Sequence, residues 1–234
     1  MRCIVFSLMV FLCVHSIHAL DLKLTRKEAG IDVRGEYNRS FWSWDISAIG
    51  EMELQKRYNF KSGIALGMLD RGADIKAFVS SGIDILPNLT EEKGLAFYGN
   101  IAYLYHGMPE YYTHAHSVLP YLSLQGKWAG IALGSTFRFT RFSGGPAVFE
   151  PVLSFLGSVY VFQNDKLRLG LSCGNFSDFY SENLGALSLR INSDMRLNER
   201  WSLAFEIALL QSGIDSLATT FYGIAGKGGI RFVW

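Results

Sequence analysis

Cysteine is nearly absent where it could matter. Of the three in the chain, Cys3 and Cys13 fall before residue 20 and Cys173 stands alone. No intrachain disulfide can form in the remainder, which excludes a small secreted domain stapled by disulfides. Proline is scarce, with five residues, and no low-complexity tract interrupts the chain. Long apolar runs are also missing after the first segment. The longest candidate, Pro151 to Asn164, contains Gly157 and β-branched residues and falls short of the ~20 residues of a spanning helix. A helical membrane protein is therefore excluded. Nor does one sign of charge dominate: Lys and Arg number 22 and Asp and Glu 21. A clustered basic surface for nucleic acid is not expected.

The first residues carry an address. Arg2 is the only charge before Asp21, and Ile4 to Val14 is apolar apart from Ser7. Small and polar residues then lead to Ala19. This is the pattern of a secretory signal peptide over residues 1–19, with cleavage expected after Ala19. A retained anchor would need a longer apolar run, and a lipoprotein site at Cys13 would want a smaller neighbour than Leu12. Residues 20–234 then form one domain, formally neutral once Arg2 is gone.

What fills that domain is alternation. Apolar residues recur at a period of two in Ile31, Val33 and Tyr37, in Phe60, Ile64, Leu66 and Met68, and in Ile131, Leu133, Phe137 and Phe139. The same pattern runs through Phe149, Leu153, Phe155, Val159 and Val161, and through Trp201, Leu203, Phe205, Ile207 and Leu209. The segments suit the ~9–11 residues of a tilted transmembrane strand. Each signal is weak, but it recurs about twelve times, the habit of a membrane barrel.

The opposite face is polar, charged and small. Its candidates for lining an interior are Arg34, Glu51, Asp74, Lys76, Arg138, Glu150, Arg168, Arg190, Glu206 and Arg231, with small residues such as Gly63, Ala65 and Gly67 between them. In a soluble lipocalin-like barrel this face would meet solvent; in a membrane barrel it lines the lumen and the apolar face meets lipid. Alternation alone does not separate the two. Aromatic residues near strand ends (Tyr37, Trp42, Trp44, Tyr103, Tyr105, Trp128, Tyr160, Phe162, Trp201) favour the membrane version, because they form interfacial girdles.

The chain closes on GGIRFVW. Gly229, the alternating Phe232 and the terminal Trp234 resemble the targeting signal that bacterial outer-membrane β-barrels present to the barrel-assembly machinery. Gly228 stands where that family commonly has a polar residue, and Trp234 where it commonly has Phe. The resemblance covers residues 20–234 as an architecture and implies an all-β fold: a single antiparallel transmembrane barrel with both termini periplasmic. It also implies outer-membrane lipid and the assembly machinery as partners. Twelve strands fit best, with ten or eight as alternatives if some segments do not span.

Connections and charges give the functional expectations. Residues 124–127 and 163–165 read as tight inner turns, and 106–117 and 174–185 as the longest outer loops. Lumen charges of both signs are interspersed, unlike the single-sign ring of a selective pore. A narrow porin or transporter for small or hydrophobic solutes is expected, the alternative being a non-conducting structural or surface barrel. Pro151 on an apolar face would remove a ladder hydrogen bond and mark an opening or a bulge in the wall. His106, His114 and His116, in one long loop, would be the only material for an outer-rim hydrolase or a surface metal site, with Ser177, Asp178, Ser181 and Glu182 in the other. No motif calls for a catalytic residue, cofactor or metal.

Overall fold

The computed structural model describes residues 24–234 except 56, 88, 89, 91–93, 143, 183, 185 and 213–219, so the expected signal peptide lies outside the described residues. Strands β1 (Leu24–Asn38), β2 (Trp42–Leu54), β3 (Tyr58–Leu69), β4 (Gly72–Asp84), β5 (Ala96–Met108) and β6 (Thr113–Gln125) form the first half. Strands β7 (Ala129–Phe142), β8 (Ala147–Gln163), β9 (Leu167–Gly174), β10 (Ala186–Arg196), β11 (Trp201–Ser212) and β12 (Phe221–Val233) form the second. Each pairs antiparallel with its chain neighbours, and β12 pairs with β1, giving a closed barrel of twelve strands. Ten or eight strands are excluded. The start of β1 and the end of β12 lie at the same rim.

The two faces are sorted as lipid and lumen require. On β1, Ile31, Val33 and Tyr37 are 56%, 54% and 68% exposed on the outside, whereas Asp32 between them is 1% exposed. A soluble ligand-binding barrel would have the reverse arrangement. Apolar residues can face outward in this number only where the surrounding medium is itself apolar. No helix among the described residues is long and apolar enough to cross a membrane; the strands do the crossing.

Closure rests on the terminal strand. Arg231 on β12 grips Asp32 on β1 with both terminal nitrogens, Nη2 at 2.8 Å from Oδ2. Gly229 stands opposite Asp32 in the register. A Cβ there would collide with Asp32 Oδ1 and come 2.7 Å from the Ile31 carbonyl oxygen, so the ion pair needs glycine at this position. Phe232 packs on Trp201 at 4.6 Å and on Trp234 at 5.6 Å between ring centroids, forming part of an aromatic belt at this rim. Tyr160 is not part of a girdle: it turns to the lumen side, where Arg168 lies over its ring at 3.9 Å.

Two expected loops look different in the structure. The segment read as a loop over 106–117 is mostly strand: only Pro109–Tyr112 connects β5 to β6. His114 and His116 broke the period-two pattern because they are polar residues on the outward face. Each is matched there by a tyrosine from β5, Tyr105 at 2.9 Å from His114 Nδ1 and Tyr103 at 2.6 Å from His116 Nδ1. The segment read as an outer loop over 174–185 turns inward along residues 174–182, and that path defines the site described next.

Candidate functional site in the barrel lumen

Strand β9 stops after 8 residues, beside a β8 of 17. At Gly174 the chain leaves the wall and turns into the barrel. Asn175 fixes the departure. Its backbone N–H donates to the Phe155 carbonyl (3.1 Å), its side-chain Oδ1 accepts the Phe155 N–H (2.8 Å), and its Nδ2 donates to the carbonyls of Leu153 (2.7 Å) and Glu182 (2.8 Å). One side chain thus takes the place of the missing strand along that part of the β8 edge. Phe155 and Leu153 point their backbone groups toward the β9 side, so by period two the nitrogen of Pro151 does as well. That side has no strand at this level. Pro151 therefore costs no ladder hydrogen bond, contrary to the sequence expectation; it occupies a free edge, where proline is tolerated.

Inside, the segment is held by four kinds of contact. Phe176, 5% exposed, enters an apolar cluster of Phe78, Ala102, Leu104, Leu119 and Ala132. Phe179 meets Phe78 edge-on, with centroids 4.8 Å apart. Gly63 makes room for this pair: a Cβ there would lie 2.6 Å from the Phe78 ring and 3.1 Å from that of Phe179. Asp178 pairs with Lys61 at 2.5 Å. Tyr180 lies beneath two guanidinium groups, Arg34 at 5.0 Å and Arg190 at 5.6 Å. Ser181 joins a hydroxyl cluster with Thr136 (2.6 Å) and Ser154 (3.3 Å). Burial opposes ionisation of the Asp178 carboxyl, but Lys61, with Lys227 and Arg231 beyond it, outweighs that cost and holds it below the usual aspartate range.

The segment divides the lumen. Toward the rim away from the termini lies an ionic network. Lys76 bridges Asp74 (2.7 Å) and Asp45 (3.1 Å), and His106 Nε2 is 2.6 Å from Asp74. Nearby, Arg34 pairs with Glu36 at 2.8 Å and Arg138 with Glu150 at 3.5 Å. Toward the termini lies a cavity of about 420 Å³. Its charged lining is balanced, Glu51, Asp178 and Glu206 against Lys61, Arg190 and Lys227. Its uncharged polar lining is rich in amides and hydroxyls, among them Asn59, Asn100, Ser80, Ser123, Tyr98 and Tyr121.

All ten residues expected to line the interior lie on the lumen face, but in separate settings. Arg34, Asp74, Lys76, Arg138 and Glu150 belong to the network beyond the segment. Glu51, Arg190 and Glu206 border the cavity, Arg190 also donating to the Phe176 carbonyl at 3.2 Å. Arg231 closes the barrel and Arg168 stacks on Tyr160. What sequence reading missed was the inward segment itself. Its signal was Phe176, Phe179 and Tyr180 within five residues, a density of aromatics that an exposed loop seldom carries. The three histidines do not meet: His106 is in the lumen, while His114 and His116 are outside. Ser181 is engaged with Thr136 and Ser154 and not with a histidine. The arrangement suits passage or binding of a solute better than nucleophilic catalysis.

No protein family matches the chain, and no curated protein is similar to it in sequence. In three dimensions it is similar to the NanC porin, with a TM-score of 0.56, 12% identity, 86% of this chain and 98% of that one covered. It is similar to the KdgM porin solved with disordered oligogalacturonate, at TM-score 0.55 and 10% identity, covering 87% of this chain and 98% of that one. An outer-membrane channel from Pseudomonas putida F1 gives TM-score 0.52 and 10% identity over 91% of this chain and 96% of that one. At such low identity the likeness is one of fold. The chain is a twelve-stranded β-barrel with the fold of bacterial outer-membrane porins.

Proposed function

We propose that this barrel passes small polar solutes of little or no net charge along its axis, through a lumen narrowed by residues 175–182. The observation that carries this reading is the balanced lining of the cavity, three acids against three bases, amid amides and hydroxyls. A lining that favours neither sign gives no preference for anions or cations. The acidic oligosaccharide named with the KdgM porin is therefore not the kind of cargo this lumen favours. With the termini in the periplasm, the segment enters from the cell exterior and the cavity opens inward. After removal of residues 1–19, the assembly machinery would recognise the strand bearing Gly229, Phe232 and Trp234. The barrel acts without a catalytic residue.

Planar-bilayer recording tests this. The expected result is a small conductance, with a reversal potential near zero across a KCl gradient. Strong selectivity for either ion would refute the balanced-lumen reading. A second reading, a structural barrel that does not conduct, is favoured by the depth at which Phe176 is buried; an absence of conductance under all conditions would decide for it.

A further inference from the structure

The β6–β7 ladder is interrupted part-way along two long strands, and the interruption coincides with a groove in the outer surface. Strands β6 and β7 pair at Val118↔Phe137 and again at Tyr121↔Gly134 in unbroken register, but Leu119 and Pro120 have no partner on β7. On the other side of β6 the ladder runs without a gap, Pro120 facing Ile101 of β5. Proline has no N–H to give, so its missing hydrogen bond falls on the β7 side. Unlike Pro151, Pro120 interrupts two strands that would otherwise be fully paired.

Over this seam the outer face carries a groove of about 730 Å³. Its walls are large apolar side chains such as Phe60, Leu122, Leu133 and Phe137, and its floor is made by Ser81, Gly99, Pro120 and Ser135. The small floor residues alternate with bulky ones on strands whose outward positions are elsewhere large, so the wall is thin here. Two residues, Asn100 and Tyr121, border both the groove and the lumen cavity. Directly inside the seam lies the apolar cluster that receives the inward segment, with Leu119 at 1% exposure packed near Phe176. Tyr121 touches Phe176 as well, their centroids 5.5 Å apart.

We propose that the β6–β7 seam is a side passage between the lumen cavity and the bilayer, used by molecules with an apolar body and one small polar group. The apolar cluster and the groove provide continuous apolar contact on both sides of the wall. Asn100, Tyr121 and Ser123 offer hydrogen bonds to the polar group within the cavity. A seam already lacking ladder bonds separates with fewer unsatisfied backbone groups than any fully paired seam, which matters most where no water can replace them. The free edge beside β9 is a weaker candidate, because Asn175 closes it with backbone and side-chain hydrogen bonds.

The test separates the side route from the axial one. Val118 and Phe137 are direct cross-strand partners facing outward. In a Cys173→Ala background, Val118→Cys with Phe137→Cys can be oxidised to staple the seam. The readout is entry of N-phenyl-1-naphthylamine into intact cells whose outer leaflet otherwise excludes it, alongside KCl conductance of the same purified protein. The proposal expects the oxidised staple to reduce probe entry to the rate of cells lacking the protein, reduction to restore it, and conductance to stay unchanged. Pro120→Val, which restores an N–H to the ladder, should slow entry without touching conductance. Probe entry unaffected by the staple, entry falling only in step with conductance, or wild-type entry no faster than in cells lacking the protein would each overturn it.

Discussion

Replacing Phe176–Tyr180 by two glycines should raise single-channel conductance about threefold, by the following estimate. Strands spaced ~4.8 Å and tilted ~40° place the backbone of a twelve-stranded barrel at a radius of roughly 12 Å. A side-chain layer of ~5 Å leaves a free radius of about 7 Å. A chain crossing that opening with a width of ~10 Å leaves about one fifth of its area. The crossed half of the path then has roughly five times the resistance of the other half, and removing the crossing lowers the total about threefold. The same structure says which contact holds the segment. The Lys61–Asp178 pair is 31% and 39% exposed, so it contributes only about 0.2–1 kcal/mol. Phe176 is 5% exposed, and truncating a buried phenylalanine costs about 3–5 kcal/mol. Phe176→Ala should therefore shift the balance between seated and released segment by about two to three and a half powers of ten, whereas Asp178→Asn should leave the wild-type current nearly unchanged. The assay is planar-bilayer recording in KCl, with heat-modifiable gel mobility to verify that each barrel is assembled. An assembled deletion variant conducting like wild type would refute the argument that this segment narrows the path. An Asp178→Asn current matching the deletion would refute the ranking of contacts.

Acid should act late. Because Asp178 is held below the usual aspartate range, its tether is present above that range and is lost only as pH falls through the depressed value; the carboxyl should therefore add no step to the wild-type current from about pH 7 to 5, and a step there that Asp178→Asn abolishes would refute this. Gly229→Val should prevent the β1–β12 closure by driving a side chain into Asp32 and Ile31, seen as loss of the heat-modifiable form; a normally folded variant would show that Asp32 can move aside. Deleting Phe232 to Trp234 removes the contact with Trp201 and the backbone hydrogen bonds from Val233 to Arg200 and from Trp234 to Lys27. Fractionation should then find secreted but unassembled protein, and correct insertion of the truncated chain would rule out an assembly role for that strand.

The twelve strands were legible because a strand in a membrane wall has two media, one on each side, and each residue must suit one of them. That makes the period-two pattern of β1 or β11 a local property that needs no knowledge of the partner strand. The lumen residues were legible for the same reason. Where the pattern failed, a side chain was answered by a neighbour out of sight in the sequence: His114 and His116 face outward because Tyr105 and Tyr103 meet them there. Tertiary structure alone decided the path of residues 175–182. Their polar and aromatic mixture suits a loop as well as an inward segment, and the choice depends on Gly63 leaving room beside Phe78, on Lys61 standing opposite Asp178, and on Asn175 covering the edge that β9 abandons. The two prolines show the same division. Proline has no donor wherever it falls, and sequence records that much; whether a bond is lost depends on what lies across from it, open edge for Pro151 and the paired strand β7 for Pro120.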